Sequence, residues 1–146
     1  MKAVKIAVIA ALVYVAIVAA FESTIGWLQP MPPGAALVIT TFDAGGAPHD
    51  RVVARLEVDG RLYVAANHWP RAWYTRALAN PDVKATVDGV TRAYRAVPVA
   101  GAESARVAEA HPLGPIFRTL TGFPPRLFVR LDPRDARAPS APAAAG

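Results

Sequence analysis

The chain has 146 residues, room for one domain of ordinary size with short appendages and too few for a two-domain enzyme. It contains no cysteine, which removes disulfides, thiolate zinc sites, iron–sulfur clusters and a cysteine nucleophile together. Sixteen basic residues stand against eleven acidic ones for a net charge of +5, and thirteen of the sixteen are arginine, whose rigid fork suits phosphate and carboxylate; the modest, local excess disfavours nucleic acid as a partner.

The first 28 residues form a unit of their own. Lys2 and Lys5 are followed by an uncharged run from Ile6 to Phe21, then by Glu22 and the less apolar STIGWL. Sixteen apolar residues fall slightly short of a span, but Ser23 to Gly26 extend the helix and Trp27 suits the interface, so a single transmembrane anchor is expected. The competing reading is a secretory signal peptide, with Val18 and Ala20 permitting cleavage after Ala20. No polar face interrupts Ile6 to Phe21, which argues against a buried core helix. After Lys2 and Lys5 the next Lys or Arg is Arg51, so the positive-inside rule favours a cytoplasmic N-terminus and a translocated domain.

Residues 29–34, QPMPPG, form a linker that cannot continue a helix. From Ala35 the pattern becomes short β segments. ALVITTF (36–42) is a strand, DAGGAPH (43–49) a turn, RVVARLEV (51–58) a second strand, Asp59-Gly60 a tight hairpin turn and RLYVAA (61–66) the return strand. NHWPRAWYTRALANP follows, in which Pro70 opens a short helix that Asn80-Pro81 ends. DVKATVDG (82–89) and TRAYRAVPV (91–99) make another hairpin, with Val83, Ala85 and Val87 on one face. A helix begins near Ala102 and stops before Pro112, a second helical piece covers Leu113 to Leu120, and RLFVRL (126–131) is the last strand. The Pro/Ala-rich residues 133–146 have nothing to bury and are expected to be disordered. Hairpin-joined strands interrupted twice by helices predict an α+β fold that is mainly β: a six-stranded antiparallel barrel over residues 35–132, preceded by one transmembrane helix.

Most chemical motifs are missing. Gly45-Gly46 has no phosphate-loop context and reads as a plain turn. His49, His68 and His111 are dispersed, so no metal site is expected, and no serine sits in a nucleophile elbow. What remains is a basic, aromatic cluster. Arg51 and Arg55 share a strand face, and the return strand leads directly to Asn67, His68, Trp69 and Arg71. Arginine forks and the N-terminus of the Pro70 helix would suit a phosphate, while Trp69, Trp73 and Tyr74 could line a flat heterocycle. The structural alternative, equally compatible with the residue types, has Trp73 and Tyr74 packing the helix on the barrel and Arg51 and Arg76 solvated.

The stretch RVVARLEVDGRLYVAANHWPRAWYTRALANPDVKATVDG, residues 51–89, resembles the flavin- and deazaflavin-binding split β-barrel superfamily, which includes pyridoxamine phosphate oxidases and the deazaflavin-dependent nitroreductases and quinone reductases. AWYTRALANPDV is nearest the nitroreductase and quinone reductase branch, and YRAVPVAGAESARV matches its strand-then-helix order. Where that branch commonly carries a basic glycine turn, this chain has DAGGAPHD. The resemblance implies a split barrel and an oxidoreductase passing a hydride from the reduced deazaflavin F420 to a quinone or nitro compound, with FMN as the alternative cofactor. It implies a cofactor site drawn from Arg51, Val53, Arg55, Asn67, His68, Trp69, Arg71, Trp73, Tyr74 and Arg76, no assigned catalytic side chain, and a homodimer. The reading from a different class is a non-catalytic barrel that holds a flavin or other anion at the membrane.

Overall fold

The computed structural model describes residues 2–28, 34–67 and 72–134, with the backbone alone for 25–28. Helix α1 (Lys2–Leu28) leads to strands β1 (Ala36–Phe42), β2 (Pro48–Val58) and β3 (Arg61–Ala66), helix α2 (Ala72–Ala79), strands β4 (Asp82–Val87) and β5 (Val90–Val99), helices α3 (Gly101–Ala110) and α4 (Pro115–Leu120), and strand β6 (Leu127–Pro133). The six strands close into an antiparallel barrel in the order β1-β2-β3-β6-β5-β4.

Both tight hairpins rest on Asp-Gly pairs in the left-handed region, Asp59 and Gly60 at φ 52° and 71° and Asp88 and Gly89 at φ 50° and 79°. Two consecutive positive φ values give the turn whose twist matches the flanking strands, and Asp followed by Gly tolerates it best. These turns fix the registers Val58 opposite Arg61 and Val87 opposite Val90.

Alternation along the strands sorts the side chains. Leu37, Ile39, Val64, Ala85, Val129 and Leu131 point inward and are buried with Trp73 and Ala77, so α2 plugs one end of the barrel. Leu56, Tyr63, Ala65 and Phe128 point outward and would be wet without α3, whose Val107 covers them. A period of two on each strand thus feeds two cores at once.

Among the described residues, three boundaries differ from expectation by more than one residue. β2 starts at Pro48 because Pro48, His49 and Asp50 pair with Phe42, Thr41 and Thr40, leaving only residues 43–47 for the turn. The turn closes through Asp43, whose Oδ1 accepts the Gly45 and Ala47 N–H groups at 3.0 and 2.9 Å. β6 runs on to Pro133, where Asp132 and Pro133 pair with Arg95 and Tyr94; a terminal proline costs the ladder no donor. α4 begins at Pro115, a first-turn proline, and not at Leu113.

α1 is apolar and exposed from Lys2 through Ile17, long enough to cross a bilayer, and leaves the barrel except where it meets α4. There the Tyr14 hydroxyl donates to the Thr119 carbonyl at 2.8 Å, and Phe21 meets Phe117 edge to face at 6.1 Å.

Candidate functional site

The barrel has an open seam. β2 pairs with β3 only from Val58↔Arg61 to Arg55↔Val64, while its first half pairs with β1 and β3 continues along β6. Among the described residues the β3-facing edge of Pro48–Ala54 carries no strand partner. This is where β3 ends and where the segment leading to α2 begins.

A cleft of about 380 Å³ lies at this end, lined by His49, Arg51, Ala72, Trp73 and Arg76 among others. Arg51 reaches it from β2, opposite Ile39 of β1. Arg76 comes from the last turn of α2 and donates from Nε to Thr41 Oγ1 at 3.1 Å, so a cation on one element is fixed by a buried hydroxyl on another. Trp73 is 5% exposed: most of its ring is core, and its edge is the cleft wall. Tyr74 stands edge to face with it at 5.9 Å and packs on the core from a half-buried position. His49 is held by Asp43 Oδ2 at 2.9 Å; this contact and the Ala47 N–H keep the Asp43 carboxyl below the usual carboxylate range.

At the end of β3 lies a further cation that sequence reading passed over. Arg126, the residue before β6, donates from Nε to Asn67 Oδ1 at 3.2 Å, approaches the Ala108 carbonyl at 3.4 Å and sits 4.8 Å over the Phe128 ring. Burial first, and then the nearby Arg118, lower its pKa, a direction that marks a guanidinium short of counter-charge. Asn67 is therefore oriented by a side chain 59 positions away. In the sequence Arg126 looked like the ordinary opening of a strand; the only hint was a lone cation following Pro124-Pro125.

Of the residues expected at the site, Arg51, Trp73 and Arg76 share the cleft, and Asn67 stands at the end of β3 beside Arg126. Val53 is a buried core residue below them. Arg55 is brought elsewhere: it does share a face with Arg51, but it lies at the opposite barrel end, donating to Glu57 Oε1 at 2.8 Å and Asp88 Oδ2 at 3.1 Å. Four strand residues are about 13 Å, enough to move a side chain from one mouth of a small barrel to the other. His68, Trp69, Pro70 and Arg71 lie outside the described residues.

Two guanidinium groups, a tryptophan wall and an oriented amide around an unpaired strand edge form a place for an elongated anion bearing a flat ring. Comparison with known proteins gives this geometry a context. Among solved structures the chain is similar to a protein described as a domain-swapped dimer, at 19% identity and a TM-score of 0.56 over 67% of this chain and 80% of that one. It is also similar to HutZ, the heme storage protein from Vibrio cholerae, at 17% identity and a TM-score of 0.56 over 82% and 89%. A third likeness is to an F420-H2 dependent reductase, FDR-A, at 21% identity and a TM-score of 0.51 over 66% and 93%. Identities this low establish the split-barrel fold. No curated protein shows a significant sequence match to the chain. The family comparison goes further, because residues 12–112, well over half of the chain, match the sequence profile of the F420H(2)-dependent quinone reductases. With that match spanning the seam, the cleft and α2, the chain belongs to the F420H(2)-dependent quinone reductase family.

Proposed function

We propose that this protein is a membrane-anchored oxidoreductase that binds F420 across the open seam and delivers its hydride to a lipid-dissolved quinone or a nitro compound. The observation that carries the reading is the pairing of Arg51 and Arg76 at one cleft beside the unpaired edge of β2, within a chain of this family. The donor set fits the cofactor's anionic tail: Arg51 and Arg76 bring two guanidinium forks to the cleft, Arg76 fixed by Thr41, and among the described residues no carboxylate other than Asp50 lines it. Asp50 is itself engaged, accepting from Thr40 Oγ1 at 2.7 Å.

Each residue then has a task. Arg51 and Arg76, with Arg71, hold the phosphate. Asn67, set by Arg126, and His68 hydrogen-bond near the ring or ribityl chain. Trp69, Trp73 and Tyr74 shape the walls, Trp73 chiefly by its packed edge. When bound, the reduced deazaflavin supplies the hydride, and the protein contributes position and electrostatics. α1 as an anchor keeps the barrel where a quinone partitions, and its packing against α4 through Tyr14 and Phe21 favours a retained helix over a cleaved leader. A homodimer completes the proposal, in line with the relative described as a domain-swapped dimer.

Equilibrium titration of the purified full-length protein with F420 and, separately, FMN tests the reading. Saturable binding of F420 that Arg51→Ala and Arg76→Ala both weaken supports it. Binding of FMN but not F420 overturns the cofactor assignment, and binding of neither overturns the site.

A further inference from the structure

We propose that α4 and the turn after it, Pro115 to Phe123, form a wedge inserted in the bilayer beside α1, so that the protein enters the membrane through two elements. The proposal rests on the reading of α1 as a membrane-spanning helix.

The depth follows from helix geometry. Lys5 to Thr24 is nineteen helical steps, about 28 Å, which matches a hydrocarbon core of about 30 Å. Tyr14 then lies near the middle of the bilayer. Yet α4 touches α1 at Tyr14, Val18 and Phe21, one turn after another. The Tyr14 hydroxyl donates to the Thr119 carbonyl at 2.8 Å. Gly122 lies so close to Val18 that a Cβ there would come 3.1 Å from Cγ1. Phe117 meets Phe21 edge to face at 6.1 Å. If α1 spans, an element packed along its second half is inside the hydrocarbon too.

The wedge is built as lipid requires. Its hydroxyls are satisfied internally: Thr119 Oγ1 donates to the Pro115 carbonyl at 3.0 Å and Thr121 Oγ1 to the Phe117 carbonyl at 2.9 Å. Ser23 and Thr24 on α1 do the same to Ala19 and Ala20, at 2.8 Å each. The turn keeps its own backbone bonded, with the Thr121, Gly122 and Phe123 N–H groups donating to the carbonyls of Phe117, Thr119 and Arg118. Prolines at 115, 124 and 125 remove three further N–H groups that lipid could not satisfy. Its outer face is apolar, with Ile116 75% and Phe123 57% exposed. Phe123 holds φ at 54°, a backbone conformation unusual for so bulky a residue, and so presents its ring outward from a hydrogen-bonded turn. The single ionisable side chain of residues 113–125 is Arg118, which lies over the Phe123 ring at 5.6 Å and lines a cavity with Thr121 and Arg126 on the barrel side. The Phe123 ring face gives its charge a partner within the wedge.

The absence of cysteine permits clean single-site labelling. Leu12→Cys, Ile116→Cys, Phe123→Cys and Val90→Cys, the last in the exposed β5 start at the far barrel end, would each be made in the full chain, spin-labelled and reconstituted in phosphatidylcholine vesicles. Collisions with oxygen report lipid, and collisions with a water-soluble nickel chelate report water. Labels at 12, 116 and 123 are expected to collide severalfold more with oxygen than with the chelate, and the label at 90 to show the reverse. Labels at 116 and 123 that behave like the one at 90, while 12 stays in lipid, overturn the wedge and leave the anchor standing. Labels at 116 and 123 shielded from both reagents show a second copy of the chain on this face, which also overturns it. A label at 12 that is accessible to the chelate removes the anchor, and the wedge falls with it.

Discussion

Arg76 Nε donates to Thr41 Oγ1 at 3.1 Å, joining the last turn of α2 to the buried end of β1. The bond ties the position of a cleft cation to the barrel itself, so cofactor affinity and α2 docking are linked. Arg76→Ala and Arg51→Ala are each expected to weaken F420 binding about 10- to 150-fold, the value of losing a charge-assisted contact of about 1.5–3 kcal/mol. Thr41→Val leaves the guanidinium in place but unties it, and should weaken binding less than Arg76→Ala. Equilibrium titration of the three variants measures the order.

Arg126 and Asn67 are joined at the end of β3, next to the segment that leads to α2, and their bond predicts a positioning role. Arg126→Lys keeps a charge but loses the Nε fork, so Asn67 is no longer oriented by the 3.2 Å contact. F420 affinity should drop while thermal stability changes little. Unchanged affinity in both Arg126→Lys and Arg126→Met, which keep a stem over Phe128, would show that the fork is irrelevant and that only the packing counts.

Trp73 fills the barrel mouth with Ala77, Val83 and Tyr94. Trp73→Ala is expected to destabilise the fold by about 3–5 kcal/mol. Trp73→Phe should retain most of the stability and most of the affinity, because only the ring's edge lines the cleft. Denaturant unfolding and cofactor titration of the same two variants separate packing from contact.

Far from the cleft, Arg130 ties α3 to β6 by binding Glu103 Oε1 at 2.7 Å and Asp132 Oδ1 at 2.6 Å. Arg130, and then the Tyr63 hydroxyl, hold the Glu103 carboxyl below its ordinary value of 4.5, and Arg130 holds Asp132 below 3.8. On acidification the unfolded chain takes up these protons first. The stabilisation is therefore complete above the ordinary carboxyl range and is lost as pH falls through the lower folded values. Glu103→Gln should be less stable at neutral pH and show a shallower loss between about pH 5 and pH 2, read from urea unfolding at several pH values.

The parts of the fold that depend on neighbours in the chain were legible in the sequence. Asp59-Gly60 and Asp88-Gly89 announced their hairpins because few residue pairs tolerate two positive φ values in succession. The apolar run of α1 was equally plain. The hairpins also led to a six-stranded barrel, but not to which strands close it, since the β1–β4 and β3–β6 seams join strands with no turn between them. The candidate cleft was half legible for the same reason. Arg51 and Arg76 could be picked out by type, but Arg55 could not be separated from them, because a shared strand face says nothing about which barrel mouth a side chain reaches. Arg126 was invisible because its importance lies in a contact with Asn67 across 59 positions.

The most direct measurement is quinone reduction by the full-length protein in phosphatidylcholine vesicles, with F420H2 as donor and menadione as acceptor, following recovery of the oxidised cofactor's visible absorbance. Catalysed oxidation of F420H2 that requires menadione, and that falls in Arg51→Ala and Arg76→Ala, is the predicted result. Cofactor binding without turnover of menadione or of a nitroaromatic would contradict the assignment and leave a flavin-holding barrel at the membrane.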